Sequence, residues 1–336
     1  MKVKSNKEEF NKILQIIDAN EYSDDNGFEK GFFKKFRFLR YLLYVFVYLL
    51  AFITLQSDRI IHVSLPMTTA VMWATTIILF IYYIERKKFQ FEISRFIFFE
   101  CRPEIGISRH LVLVRKMIHG QLGWSSIHYN IGCGLFRLGK IGQSAKILTL
   151  MQESCVTANE MMAAVHLKSL IAMYYKDYDL VMSCANEAQV LYKKARHVNS
   201  INTMYYDIQQ SAAYAQCCKM GDFIQVYSVL QAPNRRPIDE VIRFYYLYCA
   251  ANELQDFENA EKYRNYVSQN AGTTWYGQAV SEGFVPESMP DCYPGFDASP
   301  ERLSKPKVIN SSRWIYIIAA TVILILFYLV PRLISG

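Results

Sequence analysis

Apolar and polar positions divide this chain into three kinds of segment. Three stretches carry no charge over lengths that suit a membrane: Tyr41–Ser57, Val63–Ile84 and Trp314–Pro331. An α-helix rises about 1.5 Å per residue, so about 20 apolar residues cross a hydrocarbon core of about 30 Å. The first stretch is the shortest. Arg37 and Arg40 just before it can extend their stems toward water, which lets Phe36, Phe38 and Leu39 lengthen the apolar run. Each stretch has Tyr or Trp near an end, where these rings sit at a bilayer interface. Only a few residues separate the first two, so they are expected to form a tight hairpin. Pro66 falls in the first turn of the second helix, where its missing N–H costs nothing. Before the hairpin, Phe10, Ile13, Leu14 and Ile17 share one helical face.

From residue 89 to residue 271 the apolar positions keep helical spacing, and from 272 to 312 that period is lost. The expected fold class is therefore all-α, with an N-terminal transmembrane hairpin, an α-solenoid and a C-terminal transmembrane helix. Six segments follow: 1–35, a cytosolic amphipathic segment; 36–88, the hairpin; 89–122, a helical linker broken near Pro103 and Gly106; 123–271, a repeat domain; 272–312, an irregular Pro/Gly-rich tether; and 313–336, the last span. Trp275, Tyr276, Phe284, Tyr293 and Phe296 in the tether suggest that part of it packs on the last repeat.

The repeat shows in its turns. Short polar turns recur as Leu138-Gly139-Lys140-Ile141, Lys176-Asp177-Tyr178, Met220-Gly221-Asp222-Phe223 and Leu254-Gln255-Asp256-Phe257. The residues that begin the next helix lie 37, 45 and 34 positions apart, close to the period of helical-hairpin solenoids. One such hairpin cannot bury its apolar face alone, whereas stacked hairpins can. The stretch from His128 through Gly132, Leu135, Gly139, Ser144, Leu148 and Met151 resembles a tetratricopeptide repeat, with Gly132 and Ser144 at the small positions where two helices approach. His128 stands where that family usually has Trp. Leu254 to Ala260 resembles the family's turn and small residue, and the two middle units are degenerate. The resemblance implies a concave groove lined by the first helices. Asn130, Lys168, Gln210 and Arg243 are its candidate partner-binding residues, with Gln209 beside them. The many tyrosines, Tyr174, Tyr175, Tyr205, Tyr206, Tyr245, Tyr246 and Tyr248 among them, are expected to fill gaps between units.

Charge changes the picture in one respect. The net charge is +7, and much of the excess flanks the uncharged stretches. Lys34, Lys35, Arg37 and Arg40 precede the first; Arg86, Lys87 and Lys88 follow the second; Arg302, Lys305, Lys307 and Arg313 precede the third. One topology puts all of these inside: N-terminus and repeat domain cytoplasmic, hairpin tip and C-terminus outside. A plasma (inner) membrane location is expected, and Asn310-Ser311-Ser312, an acceptor pattern for glycosylation, would then lie unused on the inner side. The first 30 residues are too charged for a signal peptide. No dense basic stripe marks a nucleic-acid surface.

The eight cysteines have no C-x-x-C spacing and read as free thiols. Cys101, His110 and His119 are evenly spaced, but no second ligand cluster completes a metal site; surface imidazoles on an amphipathic helix are expected. Gly132-Cys133-Gly134 lies inside a helical pattern and belongs to the repeat. Glu240, Glu253, Glu258 and Glu261 are spaced like solvated helical faces. No catalytic motif, cofactor-binding loop or metal set stands in a suitable context. The uncharged stretches hold Thr68, Thr69, Thr75 and Thr76 but no ionisable group of the kind that lines ion pathways. The expected function is a membrane-anchored scaffold, not an enzyme and without a cofactor, whose repeat domain binds a cytosolic protein or peptide while the spans contact the lipid bilayer. The alternative is a membrane effector whose spans form homo-oligomers or a pore under control of the repeat domain, through small faces such as Ala70 and Ala74.

Overall fold

A computed structural model of the chain describes residues 6–18, 21–22, 34–56, 65–116, 124–233 and 236–281. Among these residues every regular element is an α-helix, and they run α1 (Asn6–Ile16), α2 (Lys34–Gln56), α3 (Leu65–Phe98), α4 (Pro103–Lys116), α5 (Trp124–Arg137), α6 (Ile141–Ser154), α7 (Ala158–Tyr174), α8 (Tyr178–Lys194), α9 (Asn199–Met220), α10 (Phe223–Val229), α11 (Pro237–Glu253), α12 (Phe257–Asn270) and α13 (Trp275–Ser281). The chain divides into two compact units, Met1–Asp297 and Ala298–Gly336. All described residues belong to the first. The third uncharged stretch, His119 and the aromatic residues beyond Ser281 lie outside them.

The four turns legible in the sequence are the turns within four helical hairpins, α5–α6, α7–α8, α9–α10 and α11–α12. Each uses the same backbone device. Gly139, Lys176, Gly221 and Gln255 have φ of +79°, +56°, +70° and +58°, so a left-handed residue ends the first helix each time. The next residue leads into the second helix. Asp177, Asp222 and Asp256 each accept a hydrogen bond at the helix start, from the amides of Leu180 at 3.1 Å, Gln225 at 3.1 Å and Asn259 at 3.2 Å. This satisfies one of the amides that a helix start leaves unpaired. Lys140 provides no such cap; its ammonium reaches Glu21 instead.

The hairpins stack in order. α5 packs on α6 and α7, α7 on α8 and α9, and each second helix on the first helix of the next pair. Close approach is made at small residues. A Cβ on Gly132 would stand 2.6 Å from a Leu167 methyl and 3.3 Å from Ile147. Ser144 lies opposite, and its hydroxyl donates to the Gly132 carbonyl at 2.9 Å. α1 covers the start of the stack: Ile13 and Ile17 are fully buried with Ile107, Ile131 and Ile147, with Phe10 against them, while Leu14 points outward.

Expectation and structure differ at three points. The linker breaks beside Pro103, as expected, but not at Gly106. α3 runs unbroken from the predicted span to Phe98, the chain turns at Phe99–Arg102, and Pro103 begins α4. Gly106 lies within α4 where Ile97 presses on it, a Cβ there meeting Ile97 at 2.3 Å. Second, residues 275–281 are helical and form α13. Third, the aromatic start of the tether packs on the last hairpin as expected, and the stack also curls back so that its last elements meet its first. Thr273 donates its amide to the Cys101 carbonyl at 3.0 Å, and Trp275 stands edge-on to Phe136, Tyr174 and Tyr245 at 6.2, 5.2 and 5.3 Å between ring centres. α13 thereby packs on Phe136 of α5, Tyr174 of α7 and Tyr245 of α11.

α2 and α3 pack on one another as a helical hairpin. Among the described residues no helix is long and apolar enough to cross a membrane; the described side chains end at Leu49 in α2 and begin at Ala70 in α3. The hairpin nonetheless exposes large apolar side chains along its length, with Phe38, Trp73 and Phe80 each 65% exposed and Tyr48 75% exposed.

Candidate functional site

Between the third and fourth hairpins the stack loosens. α10 has only 7 residues, so α11 is not held flat along α9 as α9 is along α7. A cleft opens there, with a cavity of about 40 Å³ lined by Gln210 and Ser211 from α9, Asp239, Ile242, Arg243 and Tyr246 from α11, and Arg137 and His166 beneath. That volume holds a few water molecules.

A buried polar network forms the floor. Arg236 donates to Asp207 and to Asp239, bracing α9 against the start of α11. His166 on α7 stands 3.6 Å from Asp207 through Nε2, and its Nδ1 meets the Tyr129 hydroxyl at 2.9 Å. Arg137, 2% exposed, donates to the Ile97 carbonyl and lies 4.6 Å over the Phe98 ring. The two aspartates bond the same guanidinium yet shift in opposite directions. Burial would raise Asp207, but the hydrogen bond from His166 and the charge of Arg236 outweigh it and hold its carboxyl below the usual range. For Asp239 burial, with the charge of Asp207, prevails over Arg236 and raises it. Burial pulls His166 down, but its bond to Asp207 prevails, so its imidazolium is favoured.

Of the predicted partner-binding residues, Gln210 and Arg243 come together on this cleft. Arg243 is held there by Glu240 and by the Leu230 carbonyl at 3.0 Å, so Glu240 pairs with it rather than standing solvated. Asn130 and Lys168 stand elsewhere and serve as internal ties. Asn130 donates to His110 Nε2 at 3.0 Å, while His110 Nδ1 donates to the Gly106 carbonyl at 2.7 Å. His110 is therefore a neutral, buried bridge between α4 and α5, not a surface imidazole, and burial pushes it down to about 4. Lys168 is 4% exposed, with its ammonium 3.9 Å from Glu187 on α8. Gln209 donates to the Ala185 carbonyl at 3.0 Å.

Sequence reasoning did not single out Asp207, Arg236 and Asp239. Their one legible signal is the charged pair Arg235-Arg236 beside Pro237 at a helix start, which reads as an ordinary solvated turn. Among the described residues no cluster of His, Cys, Asp and Glu could hold a metal ion. The seven cysteines among the described residues are free thiols, and burial pushes Cys155, Cys184 and Cys249 up to about 12, far from a reactive thiolate. No protein-family model, curated protein or solved structure matches the chain.

Proposed function

We propose that this protein is a membrane-anchored scaffold of tetratricopeptide-like repeats. In this reading the Tyr41–Ser57, Val63–Ile84 and Trp314–Pro331 stretches lie in the bilayer, the N-terminus and the repeat domain face the cytosol, and the cleft between α9 and α11 receives a side chain of a protein or peptide partner. The observation that carries the reading is α3. It is one helix of 34 residues, about 50 Å long. Its first part belongs to the hairpin with exposed Trp73, Ile77 and Phe80, and its last part, Phe96 to Phe98, is buried in the repeat core. Exposed apolar surface on this scale needs a cover. Residues 41–56 of α2 contain no charged side chain, and lipid is the cover that such a sequence fits. A repeat built on the same helix would be presented at a set orientation.

The test uses full-length protein expressed in cells. The chain should stay with membranes through alkaline carbonate extraction, and a photo-crosslinking residue at Gln210 should capture a partner. Gln210→Trp, which fills the cleft, should abolish capture of that partner without releasing the chain from membranes. Release by carbonate would overturn the anchor, and capture unaffected by Gln210→Trp would overturn the cleft. Dye release from liposomes holding the purified protein would favour the pore instead.

A further inference from the structure

Arg137 carries a charge that the folded repeat leaves uncompensated. It ends α5 with 2% of its surface exposed. Taking a guanidinium out of water is costly unless a carboxylate and several hydrogen bonds replace the solvent. Among the described residues Arg137 forms no ion pair. It donates one hydrogen bond to the Ile97 carbonyl and lies over the Phe98 ring, and its Nε is buried without a hydrogen-bond partner. The bond and the ring tie α5 to α3, but neither brings a negative charge.

The other charged groups around the cleft are engaged with one another. Arg236 bonds Asp207 and Asp239. Arg243 gives two bonds to Glu240 and a third to the Leu230 carbonyl. His166 turns Nε2 to Asp207 and Nδ1 to the Tyr129 hydroxyl, and its bond to Asp207 favours the imidazolium. Arg137, Arg236, Arg243 and that imidazolium thus face Asp207, Asp239 and Glu240, and the cation left over is Arg137. Asp239 feels its charge but bonds Arg236. Arg137 lines the cavity of about 40 Å³ together with Gln210, Ser211 and Tyr246, whose amide and hydroxyl groups can donate hydrogen bonds. A few water molecules fit there, and so does a carboxylate.

We propose that the cleft is a carboxylate site, in which Arg137 receives the side chain of an acidic residue in a partner segment and Gln210 and Ser211 help to hold it. This rests on the reading of the cleft as the partner's seat and names the chemistry that the seat selects. An acidic side chain sets one negative charge against the one surplus positive charge and gives Nε an acceptor. A basic side chain would add to the surplus, and an apolar one would leave it as it is.

The probes are capped glutamate and capped glutamine, N-acetylated amides of equal shape, titrated into the full-length protein in detergent and followed by saturation-transfer NMR. Capped glutamate should bind about tenfold more tightly than capped glutamine, as one charge-assisted hydrogen bond would give. Arg137→Met and Gln210→Trp should each abolish that preference, the first by removing the cation and the second by filling the cleft. Should Arg137→Met lose helix content by circular dichroism, Gln210→Trp decides, since it leaves Arg137 in place. Equal binding of the two probes to the wild type, binding of neither, or a preference that survives in folded variants would overturn the carboxylate site. Capture of a partner at Gln210 without a preference for capped glutamate would keep the cleft as the partner's seat and refute the carboxylate. Preference without capture would keep the carboxylate site and refute the partner.

Discussion

A buried imidazole contributes to how this fold answers to acid. His110 donates to Gly106 and accepts from Asn130, an arrangement open only to the neutral ring. Its folded-state value of about 4 lies below the unfolded value near 6.5. As pH falls from about 6.5 to about 4 the unfolded chain takes up a proton that the native one refuses, so stability is lost across that window, by on the order of 3 kcal/mol. His166 and Asp239 are raised and act in the opposite direction: each favours the native state as its proton is taken up. Asp207 is lowered and costs stability only in stronger acid. The comparison of wild type with His110→Gln therefore isolates the imidazole. Thermal melts from pH 7 to pH 4 should fall less steeply for the variant. Parallel curves would mean that His110 takes its proton in the folded state.

At the scale of the element, the left-handed turn does most to define the repeat. Two of the four turns place glycine at the left-handed position, and two place Lys176 and Gln255 there. An L-residue in this conformation carries a penalty of about 1–2 kcal/mol that glycine escapes, partly offset by glycine's greater chain entropy. Lys176→Gly should therefore stabilise the protein by about 0.5–1 kcal/mol, read as a higher melting temperature with unchanged helix content. A lower melting temperature would show that the Lys176 side chain contributes more than its backbone costs. The turns themselves were legible because short polar runs interrupt the apolar period, with Gly at two of them and Asp capping the next helix in three. The middle hairpins differ in sequence from the first, yet Asp177 and Asp222 start their second helices.

At the scale of the molecule, a buried ionic brace and a curled-back C-terminal helix hold the later repeats. Arg236 joins Asp207 on α9 to Asp239 on α11 where those helices otherwise stand apart. Replacing it with Met would leave two partly buried carboxylates facing one another without their guanidinium. Loss of one member of such a network costs about 3 kcal/mol or more. Arg236→Met should lower the melting temperature clearly, and adding Asp207→Asn and Asp239→Asn should recover part of the loss. Without any recovery, the arginine would be acting through packing rather than charge.

The chain's own pattern determined the helices, their turns, the pairing of α2 with α3, and the small-residue contact of Gly132 with its neighbours, since these depend on residues close in sequence or on periodicity. It also determined that Gln210 and Arg243 lie on first helices. Only the tertiary structure decided what those helices face. Lys168 and Asn130 read as groove residues by position, yet Lys168 is buried against Glu187 and Asn130 ties α5 to His110. Trp275 read as packing on the last repeat, which its contact with Tyr245 matches, yet it also reaches Phe136 and Tyr174 in the first two hairpins. The contact of Thr273 with Cys101 joins residues 172 positions apart. Helical periodicity records which side of a helix is apolar. It carries no record of how far a stack of hairpins curls, because that depends on small angles between helices added over the whole repeat.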